Sequence, residues 1–170
     1  MMMLKTGFKA LLAVLTLSFS LNSFAITDDE QVEFTDAITE GKMKIVEKYI
    51  KSDPKLVNEK FFGWTPIQMA ANHGQIDAAK FLLAKGADIN YMHPVAHHTA
   101  FHLAALNGNT QMAKFLADKG ADVNVKMKAD VSLIRYFRDV GSTQMVDFLS
   151  GLGVKDDGCK EGKCFEEADE

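Results

Sequence analysis

Two stretches decide the fold: TPIQMAANHG at residues 65–74 and TAFHLAALNG at residues 99–108. Laid over one another they sit 34 positions apart, and GADIN (86–90) and GADVN (120–124) keep the same offset. Self-similarity at such a period means that one structural unit is repeated and stacked. SLIRYFRDVG (132–141) continues the series, with Gly108 to Gly141 and Gly120 to Gly153 both 33 apart. Upstream, Gly41 precedes Gly74 by 33 within FTDAITEGKMKIVEKYI. Four units therefore tile residues 34–154, at about 34–58, 61–90, 95–124 and 129–154.

The residues of one unit predict its shape. Thr65 offers a hydroxyl to cap a helix, and Pro66 stands at the first helical position, where its missing amide costs nothing. IQMAA is short and rich in small residues, so a neighbouring helix can approach closely. Gly74 breaks the chain, and IDAAKFLLAK has apolar residues at helical spacing. Gly86 follows at a position suited to a left-handed helix end, and Asp88 and Asn90 suit the turn beyond it. Down the units, Ile45, Ala78, Met112 and Met145 share one column, and Val46, Ala79, Ala113 and Val146 the next. Phe81-Leu82, Phe115-Leu116 and Phe148-Leu149 fill two more. A lone helix pair of this size cannot bury its apolar stripe, so stability must come from stacking.

TPIQMAANHG followed by FLLAKGADIN, and TAFHLAALNG followed by FLADKGADVN, resemble the ankyrin repeat. The resemblance implies an all-α solenoid of about four helix-turn-helix repeats with projecting loops and degenerate terminal repeats. The departures fall at the ends. The first unit carries SDPKLVN (52–58) in place of the GAD turn, and the last opens on Ser132-Leu133-Ile134-Arg135. Lys48, Arg135 and Arg138 stand in otherwise apolar columns, as units facing water on one side require.

The termini read differently. Lys5 and Lys9 precede the uncharged run ALLAVLTLSFSL, and Ser23 and Ala25 then have the spacing of a signal-peptidase site. That order predicts a secretory signal over residues 1–25, cleaved after Ala25. The apolar run falls short of the roughly 20 residues that span a bilayer, and no cysteine follows it to carry a lipid. Residues 26–33 are read as a linker. Removing two lysines and no acid takes the net charge from −4 to −6. Such a chain has no basic footprint for nucleic acid. The segment 155–170 is read as an acidic disordered tail, with seven acids against two lysines from Asp156 on. In an oxidising compartment its Cys159 and Cys164 could close a small disulfide loop.

Chemistry is scarce. There is no Gly-rich phosphate loop, no HExxH and no nucleophile motif, so an enzyme is not expected. YMHPVAHHTAFHLAA (91–105) holds His93, His97, His98 and His102, and the spacings His93-x3-His97 and His98-x3-His102 invite a metal reading. The resemblance gives His102 a structural hydrogen bond near the threonine and to neighbouring backbone, with Gln68 in the same slot one unit earlier. His93, His97 and His98 then lie on the loop between the second and third units. A zinc site needs three or four fixed ligands, and no cysteine or acid stands close in sequence. A solvated or partner-facing loop is the simpler reading, and no cofactor is expected.

What remains is surface. In ankyrin-like stacks the loops and inner helices form a concave face where partners bind. The residues mapping to it are Phe61, Phe62, Trp64, Asn72, His73, Tyr91, Met92, His93, Val95, His97, His98, Leu106, Lys126 and Lys128. Aromatic residues are enriched at interface hot spots. The expected function is a monomeric, exported protein-binding module, periplasmic or secreted, with no membrane insertion after signal cleavage. Small periplasmic ankyrin proteins in bacteria accompany oxidant-defence enzymes such as catalases, which is the narrower form the resemblance implies. A secreted factor acting on a host protein, or a metal or haem accessory using the loop histidines, stays open at this point.

Overall fold

The computed structural model describes residues 26–158. Among them are eight α-helices, in pairs: α1 (Asp28–Thr39) with α2 (Met43–Ser52), α3 (Pro66–Asn72) with α4 (Ile76–Ala84), α5 (Ala100–Leu106) with α6 (Thr110–Asp118), and α7 (Leu133–Asp139) with α8 (Thr143–Gly151). None is long and apolar enough to cross a membrane. No ladder of strands occurs among the described residues; two isolated bridges, Phe61 to Trp64 and Met127 to Val131, close loop bases. The result is an all-α repeat solenoid.

The inner helices α1, α3, α5 and α7 form one layer, and α3 packs against both α1 and α5. Small residues permit that approach: Ala70, Ala71, Ala104 and Ala105 are fully buried between helices. Helix α7, LIRYFRD, has no alanine, and its backbone stands off more loosely from α5. The outer columns behave as stacked positions should. Val46, Ala79 and Ala113 are buried, as are Leu82, Leu116 and Leu149, while Met145 and Val146 of the last unit are only half-buried, with no further unit stacked on them among the described residues. In the first unit Tyr49 takes the leucine slot and hydrogen-bonds Glu33.

Polar locks join each unit to the next. Asn58 Oδ1 accepts from the Asp88 amide, Asn90 Oδ1 from Asp122 and Asn124 Oδ1 from Lys155, each at 2.8 Å. Gln75 Nε2 donates to Thr39 O at 2.7 Å, reaching back over the end of α1. A Cβ on Gly41 would stand 2.5 Å from Gln75 Oε1, and φ there is +71°, so only glycine fits beneath that amide.

His102 makes the bonds expected of it. Its Nδ1 lies 3.1 Å from the Thr99 amide and 2.8 Å from Thr99 Oγ1. An amide can only donate, so Nδ1 accepts, and the proton on Nε2 goes to Val125 O at 3.0 Å. Gln68 reproduces this with an amide: Oε1 accepts from Thr65 N and Oγ1, and Nε2 donates to His98 O at 2.8 Å and Tyr91 O at 3.3 Å.

Two boundaries differ from the sequence reading. Residues 26–33 are not a linker: α1 starts at Asp28, and TDDE (27–30) forms a capping box, with Glu30 Oε2 accepting from Thr27 N at 2.8 Å. The tail is not free from residue 155 either. Lys155 hangs on Asn124, Asp156 accepts from Arg138 Nη1 at 2.6 Å, and Asp157 accepts from the Ser132 amide at 3.3 Å. Residues 155–158 thus occupy the place where the turn of a further unit would start. Cys159, Cys164 and the leader lie outside the described residues.

Two outcomes follow. Leu116→Ala removes a side chain of zero exposure and should cost roughly 2–5 kcal/mol in denaturant unfolding; an unchanged midpoint would place the column wrongly. Burial first, and His98 next, push His102 down to about 4. Between its ordinary value near 6.5 and 4 the unfolded chain binds a proton that the folded chain refuses. Stability is therefore whole above 6.5 and falls by roughly 3 kcal/mol as pH drops to 4. His102→Gln, which copies Gln68, should keep the fold and lose this part of the pH dependence, as read from melting temperatures at pH 7 and pH 4.5.

Candidate functional site

The loops projecting from the inner layer carry most of the candidate residues. Phe61 N donates to Trp64 O, and Trp64 N to Phe61 O, both at 2.9 Å. Phe62 and Gly63 are the two residues between, at φ +53° and +86°. Left-handed φ at both central positions is the type I′ hairpin turn, whose twist matches the flanking backbone. That geometry separates the two phenylalanines. Phe61 turns inward to 2% exposure, edge-on to Phe34 at 5.4 Å, and is core, not partner surface. Phe62 turns outward, 76% exposed. The I′ position favours Asn or Gly; a bulky aromatic there is an outlier.

The second loop is held by its own histidine. His93 Nδ1 accepts from the amides of Ala96 at 3.0 Å and Val95 at 3.2 Å, while its main chain bonds His98 O and the His97 amide. Its ring packs at a tilt of 33° against Trp64, centroids 4.6 Å apart. His93 is therefore a turn cap and not a solvated side chain. His97 sits at φ +55° and His98 is half-buried over the His102 ring, 6.1 Å away. Burial, then His93 and His97, lower the His98 pKa. No group of three His, Cys, Asp or Glu side chains comes together to hold a metal among the described residues. With Nδ1 of His93 already engaged by two amides, only its Nε2 could serve as a ligand.

The other candidates disperse along the face. Tyr91 is half-buried beneath the Lys60 ammonium, 5.6 Å from the ring. Met92 and Val95 are exposed near the tip, at 42% and 71%. Lys126 pairs with Asp130 at 2.5 Å on the third loop, where Lys128 is exposed. Leu106 is half-buried at the end of α5 and packs against the core. Asn72 and His73 end α3 and border a cleft of about 290 Å³ lined by Trp64, Gln68, Met69, Asn72, His73 and Leu103.

Met69 and Leu103 escaped the sequence reading. They sit one helical turn before Asn72 and one unit before Tyr136, in columns that pattern alone assigns to the core. Asn107 Nδ2 donates to Asn72 Oδ1 at 2.8 Å and to Leu103 O at 2.9 Å, so the cleft straddles two units.

His93→Ala should cost about 1 kcal/mol or more, because two amide donors lose their acceptor. It should also shift the emission of Trp64, the only tryptophan. A variant with wild-type melting and emission would return His93 to the solvent. His97→Asn, which tolerates the left-handed conformation, should change neither.

Comparison with known proteins agrees with this architecture. The family described as ankyrin repeats (3 copies) matches residues 34–127. Ankyrin repeat, SAM and basic leucine zipper domain-containing protein 1 of Notamacropus eugenii is 29% identical over 65 residues, covering 38% of this chain and 14% of that protein. Its counterpart from Dasypus novemcinctus is 27% identical over 74 residues, covering 44% and 16%. The chain thus spans only a small part of the length of these curated relatives. Repeat period, helix pairing, the Thr-x-x-His lock and the family match converge: the chain belongs to the ankyrin repeat family.

Proposed function

We propose that the mature chain is exported to the cell envelope and there binds a partner protein through its loop tips and concave face. Ankyrin repeats are protein–protein interaction modules and generally non-enzymatic, which supports the binding half of this reading. The order of lysines, apolar run and small-x-small site over residues 1–25 supports the export half.

The observation that carries the reading is Phe62. A non-glycine residue in a left-handed conformation costs of order 1–3 kcal/mol, and at 76% exposure the ring recovers little of that within its own chain. Strain that the monomer does not repay is characteristic of sites where a contact made later repays it. Val95 and Met92, exposed on the adjacent loop, extend the apolar tip. An accessory role beside an oxidant-defence enzyme is the narrower form and rests on the family resemblance alone.

Mature protein from the envelope fraction should begin at Ile26; an N-terminus at Met1 in the membrane pellet would refute export. Phe62→Asn should raise thermal stability, since Asn suits the turn. A photo-crosslinking residue at position 62 should give discrete partner adducts in cells, while one at Val32, also exposed but on α1, should not. Identical adducts from both positions would sink the tip as the binding element.

A further inference from the structure

We infer that the concave cleft between the second and third units is a socket for one apolar side chain of the partner's extended polypeptide, whose main-chain carbonyl accepts from Asn72. This rests on the protein-binding reading and names the chemistry that it requires.

Size comes first. Ligand pockets run about 300–1,000 Å³, and this cleft, at about 290 Å³ and open to solvent, stands at the low end, with room for a large side chain and the backbone that carries it. Its walls are the Trp64 indole, Met69 and Leu103. The indole is backed on one side by the His93 ring at 4.6 Å, so it is a fixed wall and not a swinging one. Met69 supplies a wall that adjusts to ring or branched aliphatic shapes.

The polar atoms then set orientation. Gln68 lines the cleft but is spent: its oxygen takes two bonds from Thr65 and its nitrogen gives two to the loop carbonyls. Asn72 is different. Its Oδ1 accepts from Asn107 Nδ2, and Asn107 is itself anchored on Leu103 O, which fixes which end of the Asn72 amide is oxygen. The donor end, Nδ2, makes no bond to a described residue. A half-buried amide donor beside an apolar hole matches the repeating pattern of a polypeptide, in which every side chain is flanked by a carbonyl. The neighbouring His73 is exposed at the rim and leaves that side open for the chain to run past.

The single tryptophan makes the socket its own reporter. The full mature chain is titrated with N-acetyl-phenylalaninamide, with the peptide acetyl-Ala-Ala-Phe-Ala-Ala-amide and with N-acetylglycinamide, reading Trp64 emission. We expect saturable shifts with the first two, the peptide binding more tightly, and none with the third. Asn72→Asp keeps the acceptor for Asn107 but turns the donor into an acceptor, and should weaken both by about ten-fold, the equivalent of one hydrogen bond. If that variant melts early, Met69→Phe, which fills the hole with an apolar ring, should show the same loss. Val32→Ser, on the exposed side of α1, should leave the titration unchanged, because it lies outside the cleft. The absence of saturation, full binding by Asn72→Asp, or an amide that binds while the peptide does not would each overturn the socket. None of these would touch the partner adducts at position 62, so the two readings fail separately.

Discussion

Two of the three junctions between units depend on one buried side chain that satisfies two chain segments at once. Gln68 and His102 each close the N-terminus of an inner helix through an acceptor atom and hold the following loop through a donor atom. Both have zero exposure, and a buried polar atom left unpaired costs about 1–3 kcal/mol. The geometry is therefore met in full or the junction opens. Amide and imidazole serve equally because the job needs only one acceptor and one donor at fixed separation.

That constraint also builds the binding face. Gln68 ties down the carbonyls of Tyr91 and His98, the two ends of the second loop, and His93 closes the turn inside it. Trp64 is then pressed between this loop and the cleft. Side chains that a partner meets are thus positioned by bonds whose other ends lie in the core. The asparagine locks at Asn58, Asn90 and Asn124 do the same work at the loop bases, which aligns the tips without a sheet.

The period, the helix pairs, the buried columns and the role of His102 were legible in the sequence, because each leaves a mark that recurs at a fixed offset. What did not recur was harder to read. The facing of Phe61 and Phe62 depends on a two-residue turn, and a turn with Phe at a left-handed position has no composition signal. The start of α1 was readable in Thr27 and Glu30, but it precedes the first aligned column. The cleft came from pairing across units, Asn72 with Asn107, a contact 35 residues apart that no local pattern announces. His93 looked like a solvated loop residue because its partners are backbone amides, which every sequence contains.

The seam between α5 and α7 differs from the others. The first three inner helices nest through alanine, whereas the buried residues of α7 are the bulkier Leu133, Ile134 and Phe137, and its backbone stands farther off α5. A stack whose units are held only by nearest neighbours yields at its weakest interface. Mechanically, the protein is therefore polarised. A pull from the C-terminus first strips Asp156 and Asp157 from α7 and then meets the loosest seam, so the fourth unit leaves while the second and third, which build the concave cleft, stay with the first. A load on the last unit would be shed before it reached the binding face.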